Sequence, residues 1–148
     1  MLTSLKVIDH IHTDTKIIDE ISLSYEDRFI RRKKLIANNG TEFLVNLEET
    51  KSVDENYYFK LDSGEAIKVK SKEENLIQIT GDNIKQIIWH IGNRHLPCQI
   101  EKSRILIQED SVIKEMIIKL GGNVTNVVEK FKPEGGAYGM GRTHSHQH

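Results

Sequence analysis

The sequence predicts an α+β protein, with a small N-terminal β-barrel or sandwich, a C-terminal ferredoxin-like (βαββαβ) domain and a flexible histidine-containing tail. Two observations lead to this prediction. In the first half of the chain, short apolar runs alternate with turn signals at 38–40 (Asn-Asn-Gly) and 62–64 (Asp-Ser-Gly), which is typical of a small all-β unit. In the second half, two segments with helical spacing of apolar residues lie between four strand-like runs.

The first domain is expected to span residues 1–73. Its predicted strands are short apolar or alternating runs, as half-buried strands require. They cover residues 5–8, 30–35, 42–47, 57–61 and 66–70. The polar stretch 71–75 is the predicted joint between the two domains.

The second domain is expected to span residues 74–148 and to begin with a strand at 76–79. Apolar residues then recur at i, i+3, i+4 and i+7, which predicts a helix with one apolar face. They are Ile84, Ile87, Ile88 and Ile91. Asp82 or Asn83 is the expected N-cap of this helix, and Gly92 and Asn93 are its expected terminators.

Two strands, 96–100 and 104–108, are predicted next, with a turn at 101–103. Asp110 or Ser111 is then expected to cap a second helix, which Gly121-Gly122 ends. The predicted core face of this helix consists of Val112, Ile113, Met116, Ile117 and Leu120. A final strand at 123–131 completes the βαββαβ order, and the tail follows at 133–148.

Composition excludes several classes of protein. The chain has 148 residues, 29% of them charged, and a formal net charge of −1, so no general attraction to nucleic acid or to an anionic membrane is expected. No apolar run approaches the roughly 20 residues that span a bilayer, and the N-terminus lacks the features of a signal peptide. With one cysteine, the chain is expected to be cytoplasmic.

The basic run 31–34 is either a solvated strand face or a contact for phosphate or an acidic partner.

Three of the seven histidines lie in the last five residues, at His144, His146 and His148. Side chains at every second position of an extended backbone point the same way, so this spacing lets two or three neutral imidazoles hold one cation. The alternative is a solvated tail or a cloning remnant. Four glycines precede the histidines, and ordering such a chain costs roughly 1–2 kcal/mol per residue. The tail is therefore expected to act as an extra arm of a better-organised site.

His95 is the candidate for that organised site, because it follows the first predicted helix and precedes a strand in polar surroundings. An isolated histidine is otherwise more often a hydrogen-bonded surface residue than a ligand. His90 lies at the edge of the apolar stripe and is interpreted as a packing or hydrogen-bonding residue. His10 and His12 share the i, i+2 spacing, but the interpretation disfavours a metal site there.

Catalytic machinery is not evident in the sequence. Cys98 and His95 suggest a nucleophile and a base, but a free thiol in an apolar strand usually behaves as a small buried hydrophobe. The sequence has no phosphate-binding glycine loop and neither of the zinc patterns Cys-x-x-Cys and His-Glu-x-x-His. We therefore predict that the chain is not an enzyme.

Residues 89–95, Trp-His-Ile-Gly-Asn-Arg-His, resemble the signature His-Leu-Gly-Asn-Arg-His of the UreE family, the nickel metallochaperones of urease. Other features fall in the order typical of that family. They are Asp27-Arg28 with Arg31-Arg32 and Gly40-Thr41-Glu42, Asp110 with Met116 and Leu120-Gly121, and the segment 131–138. The resemblance covers most of the chain.

The resemblance implies an N-terminal β domain that engages partners and a C-terminal domain that forms a homodimer. It implies that His95 lies at the dimer interface and binds Ni²⁺ with its symmetry mate, and that His144, His146 and His148 join it. Zn²⁺ or Cu²⁺ is expected to substitute in vitro. The implied partners are the urease apoprotein and other urease accessory proteins, including the GTPase.

The chain departs from the family pattern in places. Glu109 and Ser111 stand where some members have histidines, so no auxiliary site is transferred, and a Pro-Arg-Gly-type turn is absent near residues 48–51. Two rival interpretations remain: a divalent-metal buffering or sensing protein, and a ferredoxin-like binding module without metal chemistry. An RNA-binding module of this fold is expected to carry stacking aromatic residues on its central strands, and strands 76–79 and 123–128 have none.

Overall fold

The computed structural model describes residues 1–135. The fold divides into two compact units, Met1–Lys72 and a second unit that begins at Glu73. Within the described residues, ten strands form one sheet in each unit, and the second unit also has two helices, which confirms the predicted α+β class. The tail histidines His144, His146 and His148 lie outside the described residues.

The N-terminal unit is a single curled six-stranded sheet. Its strands are β1 (Leu2–Ile8), β2 (Ile17–Leu23), β3 (Phe29–Ile36), β4 (Glu42–Ser52), β5 (Tyr58–Leu61) and β6 (Ala66–Ser71). Their order is β2-β6-β5-β1-β4-β3, with β1–β4 and β2–β6 parallel and the other neighbours antiparallel. The half-barrel shape agrees with the predicted small β-barrel.

Alternating side chains of these strands form the core of the N-terminal unit. Phe43 and Phe59 are fully buried, and their rings pack with centroids 5.5 Å apart. Val45, Ile67 and Val69 are also inaccessible to solvent and belong to the same cluster. The burial of these strands on one face accounts for the period-two pattern of their sequences.

Strand β2 was not predicted, because an inward-facing position of this strand holds the carboxylate of Asp19, which is only 4% exposed. The backbone N–H groups of Glu20 (2.7 Å), Asn39 (3.1 Å) and Thr41 (3.4 Å) donate to it, as does the side-chain amide of Asn39 (3.1 Å). These donors satisfy the buried charge. Because Asn39 and Thr41 lie in the turn between β3 and β4, Asp19 ties that turn to β2.

The C-terminal unit confirms the predicted ferredoxin-like arrangement. Its elements are β7 (Glu73–Thr80), α1 (Ile84–Asn93), β8 (Cys98–Ile100), β9 (Ile105–Gln108), α2 (Ser111–Lys119) and β10 (Asn123–Lys130). The sheet order is β10-β7-β9-β8, and all neighbours are antiparallel. Strand β7 starts at Glu73, so most of the predicted polar joint belongs to a strand.

Both helices pack their isoleucines onto one face of this sheet. The buried cluster joins two residues of each helix to β7 and β9, and it contains Ile87, Ile91, Ile113, Ile117, Ile77, Ile79, Ile105 and Ile107. The prediction that Val112 belongs to this core was wrong, since its side chain is 74% exposed. Val112 precedes Ile113 by one residue, about 100° around the helix, and so lies on the outer face.

The helix ends differ from the prediction in two respects, both at α1. Asp110 caps α2, and its carboxylate accepts from the backbone N–H groups of Val112 and Ile113. Asn83 is the N-cap of α1, but its side-chain amide instead donates to the carbonyl of Leu120 at the end of α2. Gly92 and Asn93, the predicted terminators, still belong to α1. No helix in residues 1–135 is long and apolar enough to cross a membrane.

Candidate metal centre

His95 occupies a strained backbone position immediately after α1. Its φ of +57° is left-handed, and Asn56 is the only other non-glycine residue with positive φ in the described part of the chain. The N–H of His95 donates to the carbonyl of Gly92 (3.0 Å), and the N–H of Leu96 donates to that of Ile91 (3.3 Å). This pair of bonds is the Schellman motif, in which the left-handed residue is usually glycine. The helix end therefore places an imidazole where chains normally place no side chain.

The position of His95 is fixed by packing on both sides of it. Ile91 is fully buried, and Leu96 packs against the same core, so the apolar contact that accompanies a Schellman motif is present. The guanidinium of Arg94 donates to the carbonyl of His90 (3.2 Å). His95 itself is exposed. A rigid backbone thus presents this imidazole at the surface of the C-terminal unit.

The chain after β10 returns to strand β8, at the other edge of the sheet. We call residues 131–134 the strap. Phe131 is fully buried, the N–H of Lys132 donates to the side-chain oxygen of Gln99 (2.9 Å), and the N–H of Glu134 donates to the carbonyl of Cys98 (2.9 Å). The segment that carries the tail histidines therefore begins beside the strand that follows His95.

Cys98 behaves as the apolar residue that the sequence predicts. It is partly buried and packs against the isoleucine core. Burial raises the pKa of its thiol, and the nearby charge of Glu134 raises it further. Because the thiolate is the form that attacks substrates and binds metals, this environment disfavours both roles.

Three other histidines lie in the described residues. His10 and His12 are in the N-terminal unit, and His90 is on α1. His90 is half-buried, and its ring meets the exposed ring of Trp89 edge-on at 5.0 Å between centroids, in line with its interpretation as a packing residue. His10 and His12 line a cavity of about 480 Å³ in the N-terminal unit. There Nδ1 of His10 lies 2.6 Å from a carboxylate oxygen of Asp9, and this hydrogen bond lowers the pKa of Asp9.

Residues 1–135 contain no group of three or more histidine, cysteine, aspartate or glutamate side chains able to hold a metal ion. A single exposed imidazole does not make a tight site, since a transition metal takes about four ligands. Any centre built on His95 needs ligands from the rest of the chain or from another copy of it. The structure thus places His95, and it does not test the predicted union of His95 with the tail.

Sequence comparison identifies the kind of protein to which this fold and this helix end belong. A family model described as the C-terminal domain of the UreE urease accessory protein matches residues 74–148, slightly more than half of the chain. Similar proteins named "Urease accessory protein UreE" occur in several bacteria. The one from Ruegeria pomeroyi is 49% identical over 130 residues, which cover 88% of this chain and 87% of that protein.

Two further relatives with the same name extend the match. The protein of Rhodobacter capsulatus is 47% identical over 88% of this chain and 83% of its own length. That of Azorhizobium caulinodans is 36% identical over 100% of this chain and 76% of its own length. The chain is therefore an accessory protein and not an enzyme. It belongs to the UreE family of urease accessory proteins.

Proposed function

We propose that this protein is a nickel-binding metallochaperone that delivers Ni²⁺ for assembly of the urease active site. In this proposal two copies form a homodimer through the C-terminal domain, residues 74–148, in the cytoplasm. His95 of each copy binds one shared ion, and His144, His146 and His148 supply further ligands. The N-terminal domain, residues 1–73, engages partner proteins: the urease apoprotein and other urease accessory proteins, including the GTPase.

The observation that carries this proposal is the exposed His95 in the left-handed position that ends α1. A non-glycine residue costs about 1–2 kcal/mol there, and strained positions of this kind cluster at functional sites. Membership of a urease accessory family provides the metal-handling context. Together they favour His95 as the fixed ligand of the centre.

The division of ligands suits a carrier of metal ions. His95 is held by a packed helix end, whereas the tail histidines follow a glycine-containing segment. A fixed ligand supports capture of the ion. Ligands on a flexible tether are replaced more easily, because the tether gives each of them only a modest effective concentration at the ion. Transfer to the recipient then proceeds by stepwise ligand exchange. Acid weakens binding, since protons compete with the metal for imidazole.

The choice of nickel rests on the family. Imidazole ligands alone favour Cu²⁺ over Ni²⁺ in the Irving–Williams order. Zn²⁺ and Cu²⁺ are therefore expected to occupy the same ligands in vitro, and selectivity for nickel is expected to depend on its supply and on the recipient.

Calorimetric titration with Ni²⁺ tests the ligand assignment. The variants are His95→Ala, the triple variant His144→Ala, His146→Ala and His148→Ala, and the matched control His12→Ala, which removes an exposed histidine from the N-terminal unit. His95→Ala is expected to weaken the tightest site about 100-fold, equivalent to about 2.7 kcal/mol. The triple variant is expected to lose about tenfold, and the control is expected to match the wild type. Equal binding by His95→Ala and the wild type would contradict the proposal.

Delivery needs a separate measurement, because a metal buffer gives the same titration. Nickel-loaded protein is mixed with urease apoprotein and its other accessory proteins, with a chelator present to remove free ions. Wild-type protein is expected to restore urease activity, and the nickel-treated His95→Ala variant is expected to restore far less. Tight binding without activation would identify a buffering protein instead.

A further inference from the structure

We propose that the strap, residues 131–134, is a positioning element that fixes the starting point of the tail beside His95. Within it, the backbone N–H of Glu134 is the group that sets this position, through its bond to the carbonyl of Cys98. The inference rests on the proposed function, because it gives the tail and His95 a common metal ion.

The distance from the strap to His95 is bounded by covalent geometry. Cys98 follows His95 by three residues, so their Cα atoms lie at most about 11 Å apart at 3.8 Å per residue. The N–H of Glu134 is 2.9 Å from the carbonyl oxygen of Cys98. The nine residue-to-residue steps from Gly135 to His144 reach about 30 Å when extended, at 3.3–3.6 Å per step. Every tail histidine thus has ample chain to reach the His95 of its own protomer.

The strap brings this starting point across the sheet. Strand β10 ends at Lys130 on one edge, and β8 is the opposite edge strand, three strand spacings or about 14 Å away. A tail released from β10 without the strap would begin on the far side of the sheet from β8. Because effective concentration falls steeply as a tether must span more distance, anchoring on β8 favours binding by the tail at His95.

Contacts at both ends hold the strap in place. Gln99 accepts from the N–H of Lys132 (2.9 Å), and Phe131 is completely buried. Just before the strap, both carboxylate oxygens of Glu129 accept from the guanidinium of Arg104 at 2.7 Å. These hydrogen bonds lower the pKa of Glu129, so its carboxylate stays ionised at lower pH than that of an ordinary glutamate. The last strand is thereby fixed before the chain turns toward β8.

A pair of substitutions at one position isolates the backbone bond. Glu134→Pro removes the N–H and places a ring against the Cys98 carbonyl, whereas Glu134→Ala removes only the side chain. In the full-length protein, Glu134→Pro is expected to weaken nickel binding about three- to tenfold, and Glu134→Ala is expected to leave it unchanged. In the background of the triple tail variant, Glu134→Pro is expected to have no effect, because the tail then has no imidazole to contribute. A general structural role would weaken binding equally in both backgrounds.

Energy transfer gives a readout without metal. Trp89 is the only tryptophan and lies on α1, and Cys98 is the only cysteine. An acceptor dye attached through Ser145→Cys, in a Cys98→Ser background, reports the mean distance from the tail to α1. Transfer is expected to fall with Glu134→Pro and to stay constant with Glu134→Ala.

The outcomes separate the two proposals. If Glu134→Pro and Glu134→Ala give the same energy transfer and the same nickel affinity, the strap inference is overturned while the ligand assignment stands. If the wild type binds no nickel, the proposed function fails, and the energy-transfer comparison alone decides whether the strap sets the starting point of the tail.

Discussion

The two helices of the C-terminal unit end with the same hydrogen-bond pattern but with different residues at its strained position. After α2, the N–H of Gly121 donates to Ile118 (2.9 Å) and that of Gly122 to Ile117 (3.0 Å). These bonds match those that end α1. The left-handed residue is Gly121 (φ +87°) in α2, whereas it is His95 (φ +57°) in α1.

The difference shows that the end of α1 does not carry the residue that would be most stable at this position. Glycine takes a left-handed conformation without steric cost, and this is why it usually ends helices. At α2 the sequence follows the rule, and nothing in that helix end suggests a further role. At α1 the same geometry holds a histidine, which pays the steric cost and gains an imidazole at a fixed place on the surface. Substitutions at the two helix ends measure how much stability the side chain at each of these positions costs or contributes.

The largest effect is expected at Gly122, the residue after the strained position of α2. An added Cβ would lie 2.7 Å from Cδ1 of Ile87 and 2.8 Å from Cγ2 of Ile117. Gly122→Ala is therefore expected to destabilise the C-terminal unit by about 1–3 kcal/mol through overpacking. Urea unfolding measures this loss, and an unchanged midpoint would show that the core relaxes around the methyl group. The equivalent residue after α1 is Leu96, which packs into the core as a full side chain.

A smaller effect is expected from Gly121→Ala, which imitates the situation of His95 in α2. The substitution puts a Cβ on a left-handed residue, 3.3 Å from the side-chain amide of Asn83. We expect a loss of about 1–2 kcal/mol. Thermal unfolding of the variant beside the wild type checks this value. No loss would mean that the helix end can change its backbone conformation, and the comparison with α1 would then break down.

The smallest effect, with the opposite sign, is expected from His95→Gly. Glycine removes the steric cost but adds backbone entropy to the unfolded chain, so a net gain of roughly 0.5–1 kcal/mol is expected in metal-free protein. His95→Ala is the control, since alanine also carries a Cβ into the left-handed region and is expected to give no such gain. Chemical unfolding in the presence of a chelator tests the pair. A His95→Gly variant no more stable than His95→Ala would show that the left-handed position carries no steric cost, and a wild type more stable than both would show that the histidine is retained for stability.

The sequence predicts most of the fold because most of its signals are local. The isoleucines at helical spacing and Asp110 before Val112 locate α1 and α2 without any knowledge of the tertiary structure. Strand β2 escaped prediction because its inward position holds Asp19, whose hydrogen-bond donors include Asn39 and Thr41, twenty or more residues away in the chain. A buried charge satisfied by distant backbone cannot be recognised from a short window.

The candidate site was predictable only in part. His95 was predicted from a sequence motif. The structure adds that its backbone is strained. The apolar Leu96 that follows it is a sequence signal of this kind of helix end, because a Schellman motif usually has an apolar residue there. The strap had no such signal. The contacts of Gln99 with Lys132 and of Cys98 with Glu134 join residues more than thirty positions apart. Their partners are defined only once β8 and β10 occupy opposite edges of the sheet.

Asp19 makes the N-terminal unit sensitive to acid. Burial acts to raise the pKa of its carboxyl, but hydrogen bonds from Thr41, Glu20 and Asn39 outweigh burial and hold the pKa below its ordinary value. The stability that this carboxylate contributes is therefore fully present above the pKa of the unfolded chain, and it is lost as the pH falls through the lower pKa of the folded protein. Protonation would weaken the contact between β2 and the turn between β3 and β4, where the bond from the N–H of Asn38 to the carbonyl of Glu20 (2.8 Å) does not depend on Asp19. Strong acid is therefore expected to loosen the curled sheet where β2 meets that turn.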